Sequence, residues 1–240
     1  MSPLPVPARA LAIGSHPDDV EFGAGSTLAR WAEAGCEVHL LVLTDGSKGS
    51  WDEADDLRAL VETRETEARA AARRLGAVDV HFLGYPDGEL QSGLAEREAV
   101  CRVIRETRPD VLIGHDPWKR YRLHPDHRHA GWLTVDGLVA ARDPHFFPAA
   151  GPHHRPEALL LFEADEPNHW EPAESHLDAK VAALLEHRSQ WHSTMGIQPG
   201  HPDEAAQHEA FVAEVRRRVT VTDAAGPRGL FEAFHAITRT

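Results

Sequence analysis

Two short runs combine imidazole and carboxylate at spacings that suit a metal ion: His16-Pro17-Asp18-Asp19 and His124-Pro125-Asp126-His127. A borderline divalent cation such as zinc takes imidazole nitrogen together with carboxylate oxygen, and a tight turn through Pro17 can aim His16 and Asp19 at one point. Asp18 then lies beside the ligands without being needed as one. In the second run, two histidines three residues apart with an acid between them can divide the work into one ligand and one acid or electrostatic partner. Three ligands drawn from the two runs leave a further position for water, as a catalytic zinc site requires. His115 is a reserve ligand, because it lies just past the strand that precedes the second run. Each run also has an ordinary reading: Asp18 or Asp19 as the cap of a helix beginning near Gly25, and the second run as a polar surface loop. A third run, His201-Pro202-Asp203, reads as a helix N-cap with Asp203 capping, and His153-His154 as a solvated loop.

The elements that must carry these residues are legible as alternating apolar runs and helical patterns. Strands are expected at residues 9–14, 37–44, 78–83, 109–113 and 158–162, and helices at 25–34, 55–75, 94–107, 175–190 and near 203–218. Such alternation predicts an α/β fold, a single Rossmann-like domain whose mainly parallel sheet has helices on both faces. The core is expected over about residues 9–190, with 191–240 as a C-terminal extension. Ligands in such sheets sit beyond the carboxyl ends of the strands. Residues 16–21, 44–51, Asp87 and 115–129 all fall at such ends.

Composition narrows the partners. A chain of 240 residues with 42% hydrophobic content can bury one full core without needing a second domain. Its 38 acidic and 25 basic side chains leave a formal charge of −13, which argues against a surface that tracks phosphates. Neither nucleic acid nor an anionic membrane is expected as a partner, and no run is long enough to span a bilayer. Residues 1–14 lack the basic start and apolar run of a secretory signal, and Cys36 and Cys101 are too few for a disulfide framework. A cytoplasmic protein acting on a small molecule is expected, compatible with assembly as a homo-oligomer.

Between Leu11 and about Gln190 the chain resembles the PIG-L or LmbE-like N-acetylglucosaminyl deacetylases. The resemblance rests on Ser15-His16-Pro17-Asp18-Asp19-Val20-Glu21, on Thr63-Arg64-Glu65-Thr66-Glu67-Ala68 leading to Leu75-Gly76, on Gly84-Tyr85-Pro86-Asp87-Gly88, on His124-Pro125-Asp126-His127 and on His187-Arg188-Ser189-Gln190. It implies zinc bound by His16, Asp19 and His127, with Asp18 as general base. It also implies that a protonated His124, oriented and kept cationic by Asp126, stabilises the oxyanion. Arg64 and Asp87 are implied as contacts to an amino-sugar substrate, and Arg122, where some relatives carry Tyr, joins them. The alternatives are ion pairs of Arg64 with Glu62, Glu65 and Glu67, and a plain turn at Asp87-Gly88. Lys48 and Trp51 could belong to a mobile loop over the sugar, or Trp51 could serve local packing.

The chain departs from the commoner pattern at Ser15, at Val20-Glu21, at Ser47 and at Arg122, with Tyr121 one position off. Those departures leave the hydrolytic residues in place and bear on the substrate. The implied activity is removal of an N-acetyl group from an N-acetylglucosamine-containing molecule, giving acetate and a free amine. Thiol conjugates or antibiotic glycosides are the alternative substrates within the family. Outside it stand a sugar- or metal-binding protein without turnover and a nucleotide-binding module. The last draws on Gly23-Ala24-Gly25 and Asp45 but lacks the third glycine, Leu28 standing there, and would set Asp18, Asp19 and Glu21 against a pyrophosphate.

Overall fold

The computed structural model describes residues 3–221 and 226–240; residues 1–2 and 222–225, which the single-domain expectation also spans, lie outside the described residues. In the first strand, β1 (Arg9–Gly14), residues Ala10, Leu11, Ala12 and Ile13 are all fully buried. Their side chains alternate between two cores. Ala10 and Ala12 pack with Leu28 and Trp31 of α1 (Asp19–Glu33) and with Val38, Leu40 and Val42 of β2 (Glu37–Thr44). Leu11 and Ile13 pack on the other face with Leu41 and Leu43 of β2 and with Ile104 of α3 (Leu94–Thr107) and Leu133 of α4 (Pro125–Arg142). A sheet covered on both faces reads as continuous apolar runs, as these strands do.

The remaining elements are α2 (Leu57–Arg74), β3 (Asp79–Tyr85), β4 (Val111–His115), β5 (Ala158–Phe162), β6 (His169–Pro172), α5 (Leu177–Glu186), α6 (Glu204–Arg218), β7 (Thr220–Val221) and β8 (Gly229–Thr238). The sheet order is β3-β2-β1-β4-β5-β8-β6, with β7 attached to β8. Strands β1 to β5 run parallel, and β8 is antiparallel to both β5 and β6. The chain winds outward from β1 to β3 and then returns to place β4 on the other side of β1. A crevice therefore opens between the carboxyl ends of β1 and β4, the switch point where α/β sheets bind ligands.

Several expected boundaries move. Helix α1 begins at Asp19 rather than Gly25, and β4 begins at Val111 rather than Pro109. The segment expected as one helix over 175–190 is α5 flanked by 3-10 turns, followed by a π-helical turn at Trp191–Met195. Residues 191–240 are not an appendage to the core: β8 is an interior strand, and α6 packs Phe211 and Val215 against Leu184 and Ile197 in a third apolar cluster. Asp203 occupies the N-cap position of α6, yet its backbone N–H donates to His201 Nδ1 at 3.1 Å and, among the described residues, its side chain makes no capping bond. His153 is exposed as expected, whereas the Nε2 of His154 donates to Pro109 O at 2.7 Å. Among the described residues no helix is long and apolar enough to cross a membrane.

Candidate active site

The turn after β1 is closed by its own side chain. Asp19 Oδ2 accepts from the backbone N–H of His16 at 2.8 Å, and the Asp19 N–H donates to His16 O at 3.3 Å. Asp19 then opens α1, where the helix dipole favours its carboxylate. Asp18 holds φ 113° and ψ −26°, a left-handed backbone that costs a non-glycine residue energy. Among the described residues its side chain makes no capping bond, so capping does not account for it. The second run is equally well anchored, though not on the loop expected for it. His124 takes the N-cap position of α4 and Pro125 the first helical position, where no N–H is needed, so Asp126 and His127 lie in the first turn.

These two helix starts meet across the crevice. His16 Nδ1 lies 3.1 Å from His127 Nε2 and 3.4 Å from Asp19 Oδ2, and His127 Nε2 lies 3.3 Å from Asp19 Oδ1. Ligands held 2.0–2.1 Å from a tetrahedral zinc ion are about 3.3 Å apart, a spacing these contacts approach with a different Asp19 oxygen toward each histidine, and the N,N,O donor set suits that ion. His16 Nε2 faces Asp87 Oδ1 at 3.1 Å and Asp126 Oδ2 at 3.3 Å. Carboxylates only accept, which puts a ring proton on Nε2. His115, the reserve ligand, instead directs Nε2 to Asp19 Oδ2 at 3.2 Å and stacks on His127 at 4.5 Å, although Asp19, His115 and His127 also lie close enough together to hold an ion. Burial opposes charge on His16, but its hydrogen bonds to Asp126, Asp19 and Asp87 outweigh it and hold the imidazole well above its usual range, so a cation at Nδ1 would have to displace a proton there. Burial, helped by the neighbouring His115, Arg122 and His16, pushes His127 down to about 3, so its imidazole is neutral.

Beside this trio, burial pushes Asp18 up to about 6, with Asp19 adding to the effect and Arg64 opposing it. Arg64 comes from α2 and is buried. It donates through Nη2 to Pro17 O at 2.7 Å and through Nη1 to Gly46 O at 2.9 Å, with Asp18 Oδ2 at 3.7 Å. Among the described residues Arg64 makes none of the surface ion pairs considered for it; Glu67 instead accepts from Ser189. A Cβ on Gly49 would collide with Arg64 Nη1, which explains a glycine there.

The chain matches the family described as PIG-L, GlcNAc-PI de-N-acetylase, over residues 11–137, a stretch that holds all the site residues expected from sequence. The chain belongs to this family. It is 33% identical over 187 residues to a diacetylchitobiose deacetylase of Thermococcus kodakarensis, covering 76% of this chain and 70% of that protein. It is 36% identical over 169 residues to the 1D-myo-inositol 2-acetamido-2-deoxy-alpha-D-glucopyranoside deacetylase of Kineococcus radiotolerans, covering 58% of this chain and 46% of that one; it thus spans about half of that relative's length. The solved N,N'-diacetylchitobiose deacetylase from Pyrococcus horikoshii, in complex with an inhibitor, superposes with a TM-score of 0.83 at 27% identity, covering 97% of this chain and 84% of the other.

Within this PIG-L frame four side chains stand differently from the expectation. Asp126 does not orient His124: its carboxylate accepts from Gly88 N at 2.6 Å and Leu90 N at 3.3 Å and faces His16. Burial and the charge of His16 push the His124 imidazole below its usual range, with the Asp126 charge opposing them. Arg122 lines the cavity, but its guanidinium is engaged by Glu163 Oε2 at 2.6 Å and by His127 Nδ1. Asp87 likewise lines the cavity while bonded to His16 and to the backbone N–H of Lys48 at 3.1 Å. The cavity measures about 510 Å³, with His16, Asp18, Asp19 and His127 in its wall and Trp51, 73% exposed, at its rim edge-on to His192. Glu163 and Gln190 also line it and were assigned no role from sequence; Glu163 stands one residue past β5, where the strand-end rule points. The nucleotide-binding alternative fails on geometry. Gly23-Ala24-Gly25 lies inside α1, and a Cβ on Gly23 would strike the Phe162 ring at 2.5 Å, so this glycine serves close packing of helix on sheet.

Proposed function

We propose that this protein is a zinc-dependent hydrolase that removes the N-acetyl group from an N-acetylglucosamine-containing small molecule, releasing acetate and a free amine. The observation that carries this reading is the meeting of His16, Asp19 and His127 at 3.1–3.4 Å beside a buried Asp18 tuned to about 6. The relatives named above, a diacetylchitobiose deacetylase and a GlcNAc-inositol deacetylase, support the substrate class. His16, Asp19 and His127 would hold the zinc ion, which would supply Lewis acidity toward water and the amide oxygen. Asp18 takes the proton that water loses as it attacks the amide carbon, because a carboxylate tuned toward neutrality both accepts and returns a proton near pH 7. That proton then goes to the departing nitrogen. His124, neutral, offers a ring N–H to the oxygen that becomes negative, an interaction that strengthens only as the charge develops. Asp87 and Asp126 hold the His16 ring through Nε2, and Arg64 holds the turn through Pro17 O, so all three act by positioning. The buried, free thiols of Cys36 and Cys101 support a reducing cytoplasmic setting.

The test is metal content together with product release. Elemental analysis should find about one zinc or similar ion per chain, as three protein ligands hold. Acetate should appear in step with primary amine from members of a panel of N-acetyl sugars. Undiminished metal in a His16→Ala, His127→Ala double variant would reject the ligand set, and tight sugar binding with no acetate would reject the hydrolase.

A further inference from the structure

We propose that the protein carries a second cation site, remote from the hydrolytic one, in which His39 and His81 bind a borderline transition ion such as Zn2+ and clip the edge strand β3 to β2. The inference is independent of the deacetylase reading. Both strands open with the same three-residue pattern of acid, Val and His: Glu37-Val38-His39 in β2 and Asp79-Val80-His81 in β3. The strands run parallel with His39 opposite Asp79 and Leu41 opposite His81, so the period of two puts Glu37, His39, Asp79 and His81 on one face. Farther along that face, Leu41, Leu43, Leu83 and Tyr85 join the core beneath α3 and α4. The two strands thus exchange apolar side chains for imidazoles near their amino ends. His39 stands five residues before Thr44, roughly 16 Å along a parallel strand from the end that faces the crevice.

The geometry suits one ion. His39 Nδ1 lies 3.4 Å from His81 Nε2, with ring centroids 5.6 Å apart and planes inclined by 30°. Two nitrogens held 2.0–2.1 Å from a tetrahedral zinc ion are about 3.3 Å apart, so the pair needs little adjustment to share it. Among the described residues neither nitrogen has a hydrogen-bond partner besides the facing ring. Asp79 adds a carboxylate: its Oδ2 stands 3.9 Å from His81 Nε2, while its Oδ1 accepts from Val80 N at 2.8 Å. Two imidazoles and a carboxylate favour a transition ion over Mg2+ or Ca2+, which take oxygen alone. His39 and His81 are half-buried and Asp79 is exposed, so water completes the coordination. With an exposed third donor this is the weaker of the two sites, and it fills only in added zinc. Its role is mechanical. β3 ends the sheet, and its far end is tied to β2 by Asp87 N donating to Asp45 Oδ1 at 3.0 Å. The register between the strands shifts between Val42 and Thr44, and an ion on His39 and His81 fastens them on the other side of that shift. Binding the paired strands and not the unfolded chain, the ion adds stability as its concentration rises.

The experiment counts bound zinc by equilibrium dialysis at micromolar free zinc for the wild type, His39→Gln and His81→Gln, and follows the melting temperature of the same samples. Gln keeps a donor and an acceptor for the facing ring while removing the imidazole ligand. Each variant should bind about one ion fewer per chain than the wild type, whatever the hydrolytic site holds, and should show a smaller rise in melting temperature with zinc. Equal zinc counts in all three proteins overturn the site, and an equal rise in melting temperature overturns its clamping role. Where a variant does not fold, the wild type decides. Zinc should then protect His39 and His81 from modification by diethylpyrocarbonate, read by peptide mass spectrometry. Unchanged modification of both histidines overturns the site.

Discussion

Near the middle of α1, Lys180 of α5 donates to Glu232 of β8 at 2.6 Å and to Phe22 O at 2.7 Å, while the same carboxylate accepts from Ser26 N at 3.0 Å and Thr27 N at 2.7 Å. At the start of the helix, Asp18, Asp19, His16 and His127 are mostly buried too, yet two imidazole nitrogens confront one another beside carboxylates and Asp18 sits in a left-handed backbone. The first cluster answers each charge with a protein partner. The second also has protein partners, but it brings imidazole nitrogens and carboxylates to face one another at the wall of a cavity, as the proposed cation and substrate would need. Burial of charge alone therefore does not mark a site; what marks it is polar groups whose best partner is not in the chain.

Substitutions can break or sharpen this contrast. The largest effect is expected for Asp18→Asn, which suits the positive φ but removes the proton acceptor: kcat should fall about 10²–10⁴-fold with metal content and melting temperature retained. Loss of metal in parallel with activity would show that Asp18 belongs to the ligand set instead. Glu232→Ala leaves Lys180 buried without its partner and should cost about 3–5 kcal/mol in denaturant unfolding, with kcat per folded molecule unchanged. A stable Glu232→Ala protein would erase the distinction between the clusters. Asp126→Asn should weaken metal binding about 10–100-fold in competition with a chelator, because it loosens His16 rather than His124. Smallest of all, Lys48→Ala removes an exposed pair with Glu89 and should leave the denaturant midpoint essentially unchanged.

How far the site was legible depended on what had to be known. Strands β1, β2 and β5 and helix α3 lie where apolar periodicity puts them, because buried elements advertise themselves by pattern. The early start of α1 was hidden by its own function: the polar Asp19 and Glu21 occupy a buried first turn that pattern reads as loop. Helix α4 carried a usable signal in Pro125 at its first position, masked by the histidines around it. The convergence of His16, Asp19 and His127 followed from strand ends meeting in a parallel sheet. Which histidine Asp126 faces did not, since it depends on side-chain direction across a crevice joining distant segments. Strand β8 was missed because its partners lie far upstream.

That strand has a consequence for how the molecule is assembled. Until β8 arrives, the hydrogen-bonding edge of β5 stays open from the synthesis of Phe162 to that of Gly229 and beyond, and an open, apolar edge is a template for pairing with other chains. Closing the sheet across so long an intervening segment is a late, non-local step, the kind that slows folding. The nascent enzyme is thus most exposed to aggregation after its hydrolytic residues have been made and before β8 seals the edge beside them.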